Sequence, residues 1–237
     1  QAYVNAVGQR LASQSHRSTL QWHFTVLDSP DINAFALPGG YVYVTRGIMA
    51  YLESEAELAG VIGHEIGHVT ARHGAQRATR QQTAGIGVLA ASVLGAVLES
   101  QGIGGAGQIA SEASQLVAAG YIASYGRDQE LQADRLGAEY LARNRYDPNN
   151  MVEVIRLLKS QEQYAADRAR AQGREPSAGG GWLASHPSSD QRLSAITALA
   201  TQFRSQGSYA DGGRAAYLQA INGMRFGESD AQGLTRG

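Results

Sequence analysis

The 237 residues are 43% hydrophobic and carry 20 Lys+Arg against 21 Asp+Glu, a formal net charge of -1. A chain of that size and apolar content buries a substantial core, so wholesale disorder is excluded, and near-neutrality offers no bulk attraction to nucleic acid or anionic lipid. Cysteine is absent, which removes disulfides, thiolate ligands and thiol catalysis and leaves nitrogen and oxygen donors for any metal.

The chain opens at Gln1 with neither a methionine nor a basic stretch leading into an apolar one. That fits a processed precursor whose signal peptide is gone. Val4, Val7 and Leu11 space a short amphipathic helix over Ala2 to Ser13. Leu20 to Leu27 (LQWHFTVL) is rich in aromatic and β-branched residues and predicts a strand, with His23 a side chain on one sheet face. Asn33 to Arg46 (NAFALPGGYVYVTR) predicts a hairpin, two extended runs around Pro38, Gly39 and Gly40.

Ser54 to His73 reads SEAELAGVIGHEIGHVTARH. Ser54 and Glu57 make a capping box, and Glu55 and Glu57 suit the positive end of a helix dipole. Leu58, Val61, Ile62, Ile66 and Val69 supply apolar surface, while Gly60, Gly63 and Gly67 let a neighbouring element come close. Within this helix lies H-E-x-x-H. Four residues turn an α-helix by about 400°, so His64 and His68 share a face one turn apart, where two imidazoles can grip one metal ion. Glu65 lies about 100° round from His64, placed to reach a water as general base without being a ligand.

Thr83 to Leu98 runs sixteen residues without a charge, short of the roughly 20 that span a bilayer. It fits a buried or membrane-surface helix better than a span, and a cover over the active site is a further reading. Ala118 to Asn144 has a helical pattern, as does Met151 to Arg170 with Val152, Val154, Ile155 and Leu158 inward. Gly173 to Gly181 predicts a flexible loop. Ser188 or Ser189 caps a helix to about Phe203, with Leu193, Ile196 and Leu199 inward, and Arg214 to Ile221 is one more short helix before a polar tail. The expected organisation is a single domain over residues 1–206, with a short helix and irregular tail over 207–237.

Two histidines do not complete a catalytic zinc site, which usually takes three protein ligands and keeps a position for water. The metzincin arrangement fails, because Ala71 and Gly74 stand where its glycine and third histidine belong, and His73 is one residue out of register. Glu130 and Asp134, one turn apart, offer a glutamate ligand and an aspartate that orients a ligand histidine. A surface pair of acids beside Arg127 and Arg135 has the same spacing, so spacing alone leaves both readings open.

NAFALPGG, HEIGH, ELQAD and SHPSSDQR, in that order between Asn33 and Arg192, resemble the zinc metallopeptidase family of the CAAX prenyl endopeptidases and HtpX-like proteases, in its soluble periplasmic BepA-like branch. The resemblance implies an α+β, mainly helical gluzincin fold, with a small antiparallel sheet whose edge strand flanks the cleft. It implies one Zn2+ per chain on His64, His68 and Glu130, Glu65 as base and Asp134 behind the ligands. His186 and Arg192 match the His-Pro and downstream Arg positions, where the histidine either faces the substrate carbonyl or occupies the open metal position at rest, and a donor from His186 or Arg192 would stabilise the tetrahedral oxyanion. Asn33, Ala34, Phe35, Ala36 and Leu37 would align a substrate by main-chain pairing.

The implied enzyme is a zinc endopeptidase acting on unfolded or misassembled polypeptides, periplasmic or membrane-associated, with peripheral membrane contact through Thr83 to Leu98 and no nucleic-acid partner. A zinc-stabilised assembly factor that binds exposed strands with little cleavage is the alternative.

Overall fold

The computed structural model describes residues 1–77, 79, 125–175, 182–187, 190–205 and 207–225. Thr83 to Leu98, the N-terminal part of the expected 118–144 helix, most of the glycine-rich 173–181 stretch, both candidate caps Ser188 and Ser189 and the end of the tail lie outside these residues. The chain forms two compact units, one of Gln1–Arg72 with Gly126–Gly237 and one of His73–Tyr125. In the second, His73 is buried and its ring centroid lies 6.3 Å from that of Tyr125.

In the first unit, α1 (Ala2–Ser13) buries Val4, Val7 and Leu11, as their spacing predicts. The next strand, β1 (His23–Leu27), begins later than the apolar run. Leu20 N–H and the Trp22 indole both donate to Arg17 O, at 3.0 and 3.1 Å, and hold that stretch in a turn. β2 (Ala34–Leu37) and β3 (Tyr41–Thr45) are the expected antiparallel hairpin, paired from Ala34↔Val44 to Leu37↔Tyr41. It turns through Gly39 and Gly40 at φ 98 and 95, a region that costs a side chain dearly.

The sheet order is β1-β3-β2, and β1 pairs with β3 in parallel. The sheet is therefore mixed, which corrects the expected antiparallel one. The β1–β2 connection reverses the chain once and the hairpin reverses it again, so β3 runs along β1 and then inserts between the two earlier strands. Alternation marks the faces of a strand but does not name its neighbour. His23 lies on the face away from Val42 and Val44, stacked on Tyr41 at 4.6 Å.

After α2 (Arg46–Tyr51), the long α3 (Glu55–Thr70) is buried continuously from Leu58 to Val69. It is packed by α1, by the sheet and by the later helices, which is why so little of it is polar. Ser54 Oγ accepts from Glu57 N–H at 3.1 Å, while the Glu57 carboxylate reaches one residue further back than a capping box requires, to Glu53 N–H at 2.7 Å.

The later helices are α4 (Arg127–Arg143), α5 (Asn149–Ala171), the single turn α6 (Trp182–Ser185), α7 (Asp190–Arg204) and α8 (Arg214–Ile221). α5 buries Met151, Val152, Val154, Ile155 and Leu158, and α7 buries Ile196 with Leu193 and Leu199 packed at its margin. Tyr217 and Ile221 of α8 belong to the same core, with Tyr217 OH donating to Met49 O at 2.6 Å. Among the described residues, no helix is long and apolar enough to cross a membrane.

α3 and α4 come unusually close. A Cβ added at Gly67 would stand 2.8 Å from Ala133 O, and one at Gly137 would stand 3.0 Å from His64 N. Small residues one turn apart on both helices let the backbones touch, so short side chains on α4 reach the histidines of α3.

Candidate metal centre

Four side chains converge where α3, α4 and the segment after α6 meet: His64, His68, Glu130 and His186, all buried, each offering a donor atom within 4.8 Å of the others. His64 Nε2 lies 2.9 Å from His68 Nε2 and 3.1 Å from His186 Nδ1. Glu130 Oε1 lies 3.2 Å from His68 Nε2 and 3.0 Å from His186 Nδ1. On the far side of the ring, His64 Nδ1 meets Asp134 Oδ1 at 2.9 Å. An ionised carboxylate can only accept, so the proton sits on Nδ1 and the Nε2 lone pair faces the cluster.

The residues fit a metal ion on their own chemistry. Donors about 2.0 to 2.1 Å from a tetrahedral ion stand about 3.3 Å from one another, close to the spacings found here. Electron pairs on His64 and on its neighbours crowded to that distance repel unless a cation or protons lie between them. Burial holds the His64 imidazole neutral, its pKa lowered to about 4 against the opposing pull of Asp134 and Glu130. Burial works against ionisation of Glu130, but hydrogen bonds from His186 and His68 outweigh it and hold its carboxyl below the usual range. Asp134 is likewise lowered despite burial, chiefly through Arg192.

Arg192 is 1% exposed. Its Nε and Nη2 grip the two Asp134 oxygens at 2.6 and 2.8 Å, while Nη1 reaches His186 O at 3.0 Å and Glu130 Oε2 at 2.8 Å. The guanidinium thus faces the support of the cluster. Glu65 is fully buried, with Oε1 accepting from Trp182 Nε1 at 2.9 Å and lying 3.5 Å from His186 Nε2. Among the described residues, Glu65 Oε2 has no hydrogen-bond partner.

The edge strand β2 carries the sequence-nominated residues Ala34 to Leu37, directly after Asn33. Thr45 N–H donates to Asn33 O at 3.0 Å, so by strand alternation the main-chain groups of Ile32, Ala34 and Ala36 point away from β3. Trp182 N–H takes the first of these, Ile32 O, at 2.8 Å.

Peptidase family M48 matches residues 1–200. The chain belongs to that family. The family is one of peptidases. The chain is similar to the beta-barrel assembly-enhancing protease of Yersinia pestis, 32% identical over 206 residues that make up 85% of this chain and 39% of that protein. The protein of the same name from Escherichia coli strain K12 is 32% identical over 202 residues, 85% of this chain and 39% of that one. The mitochondrial metalloendopeptidase OMA1 of Schizosaccharomyces pombe is 34% identical over 148 residues, 62% of this chain and 40% of that protein. This M48 chain spans well under half the length of these relatives.

The structure gathers His64, Glu65, His68, Glu130, Asp134, His186 and Arg192 into one buried cluster. Sequence reasoning passed over Trp182, whose ring stacks on His186 at 4.8 Å and touches Glu65. The available signal was its spacing. A helical residue four before His186 lies on the same face, and His186 N–H indeed donates to Trp182 O at 2.9 Å.

Proposed function

We propose that this M48 chain is a zinc-dependent endopeptidase that hydrolyses peptide bonds in unfolded or misassembled polypeptides, with one zinc ion held by His64, His68 and Glu130. The observation that carries it is the buried donor set with the Glu65 carboxylate beside it. Zinc held there would polarise the scissile carbonyl and bring the pKa of a water toward neutrality.

The protein's residues do the rest. Glu65 takes a proton from the attacking water and returns it to the leaving amine. Asp134 keeps His64 in the tautomer that presents Nε2, and Arg192 holds Asp134 and Glu130 in place. His186 Nδ1 lies among the donors, which supports its role as a fourth donor at rest that withdraws to admit substrate. Arg192, engaged on Asp134, Glu130 and backbone carbonyls, is assigned to support in place of the oxyanion role that its sequence position allows. A substrate strand pairs with the outward groups of Ala34 and Ala36. The relatives named for β-barrel assembly support a periplasmic quality-control role, since extended segments of misassembled barrels suit an edge strand.

Glu65→Gln should retain zinc yet lose cleavage of an unfolded protein such as casein. Retained cleavage would remove Glu65 as base, whereas biological complementation by this variant would favour an assembly factor that works by binding. His186→Ala should raise basal proteolysis if the ring blocks the site, and a fall would assign it to oxyanion stabilisation.

A further inference from the structure

Trp182 opens the one-turn helix α6 and is 2% exposed. Its position is fixed from three sides. Its backbone N–H is bonded to Ile32 O at 2.8 Å, its ring lies 25° from the plane of His186, and the Arg192 guanidinium carbon sits 5.4 Å from its centroid. Held this way, the indole aims its one donor at Glu65 Oε1, 2.9 Å away, with both groups buried. An indole N–H only donates, so it has no use at this place except to a carboxylate or another acceptor. The second tryptophan, Trp22, has the common structural arrangement, donating to a backbone carbonyl of its own turn, Arg17 O.

The two oxygens of Glu65 are therefore unequal. Oε1 is held by the indole, and Oε2 is buried without a hydrogen bond among the described residues. The terminal torsion of a glutamate is broad and close to two-fold, so backbone placement alone does not settle which oxygen points where. We infer that Trp182 is a positioning residue for the base: by holding Oε1 it fixes the rotation of the Glu65 carboxylate and leaves Oε2 to take the proton from water and return it to the leaving amine. The proton goes on and off one oxygen, with no net change at the other. This rests on the reading of Glu65 as general base.

Trp182→Phe keeps an aromatic ring beside His186, though a smaller one, and removes the donor. In the zinc-loaded full chain it should lower kcat roughly ten- to a hundredfold, the range expected for a lost hydrogen bond to a charged group, with KM and zinc stoichiometry unchanged. A kcat within twofold of the parent overturns the inference, as does a parallel loss of zinc, which would mark the ring as mere packing. A second measurement needs no turnover and no Trp182 variant. With 15N-labelled tryptophan the two indoles give two N–H resonances, and Glu65→Ala should shift that of Trp182 while leaving that of Trp22 in place. An unmoved Trp182 resonance overturns the inference. If Glu65→Gln still cleaves, the base assignment itself fails; if Glu65→Gln is dead and Trp182→Phe is fast, the base stands and only its positioning by Trp182 falls.

Discussion

Gly67→Ala tests the packing that brings the proposed ligands together. The new Cβ would stand 2.8 Å from Ala133 O, 3.1 Å from its Cα and 3.3 Å from its carbonyl carbon, all backbone atoms that no rotamer change can move. Ordinary contact begins near 3.4 Å, so α4 must retreat by about 0.6 Å. Glu130 lies one turn before Ala133 and Asp134 directly follows it, so both carboxylates move with the backbone. A metal site tolerates about 0.2 Å in its distances, and disturbing the group behind a ligand histidine costs about 10- to 100-fold in affinity. Overpacking costs about 1 to 3 kcal/mol, of which the better helix propensity of alanine returns about 1 kcal/mol. The metal-free variant should therefore melt close to the parent while its zinc affinity, measured by competition with a chelating dye, falls at least tenfold. Gly60→Ala is the control. Its Cβ would meet Met151 Cγ at 3.3 Å, the yielding part of a flexible side chain, so zinc binding should be unchanged. Parental zinc affinity in Gly67→Ala, or an equal loss in Gly60→Ala, would refute the argument.

Asp134→Asn keeps the shape of the side chain but leaves the buried Arg192 guanidinium without its bidentate partner, and should cost about 3 to 5 kcal/mol in urea denaturation. For the metal-free protein, His64 has a folded pKa of about 4 against 6.5 in the unfolded chain, so on acidification the unfolded state takes up a proton first. Stability should fall between those two values by on the order of 3 kcal/mol, and a flat profile there would contradict the buried, neutral ring. Glu130 and Asp134, lowered in the fold, act in the same direction at lower pH: their contribution is present above the ordinary carboxylate range and is lost as pH drops through their folded values. Ala36→Pro deletes an outward N–H of the edge strand while sparing the bonds to β3, and should raise KM for casein severalfold at constant zinc content. An unchanged KM would separate β2 from substrate alignment.

Much of the centre was legible because helical geometry is local. The i, i+4 spacing of His64 and His68 puts both on one face whatever the rest of the chain does, and the capped start at Ser54 gives α3 a definite beginning. Glu130 and Asp134 could be paired with each other by spacing, but not with α3, because that requires knowing that Gly63 and Gly67 face Ala133 and Gly137. The glycines were visible in the sequence; their partners were not. Parallel pairing of β1 with β3 was hidden for a similar reason, since a strand's pattern encodes its two faces and not its neighbour. Arg192 was read by position as a donor toward the substrate. Its five donors in a fixed fork suit it equally to bind two carboxylates and two carbonyls from behind, and only the fold decides between these.

The charges of the cluster link its packing to its chemistry. Glu65, in the ionised form a base requires, joins Glu130 and Asp134, and the Arg192 guanidinium balances one of the three carboxylates. Two negative charges then remain among buried side chains, a costly condition for any fold. One divalent cation held by His64, His68 and Glu130, as proposed, would cancel them. That accounts for why the support is so short-tethered: a cation can neutralise carboxylates only if α4 lies close enough to α3 for Glu130 to reach it. The contact between backbones at Gly67 and Ala133 would thus be a condition for tolerating the proposed base, Glu65, in the interior. Zinc retention and the buried placement of Glu65 should then be lost together whenever the two helices are forced apart.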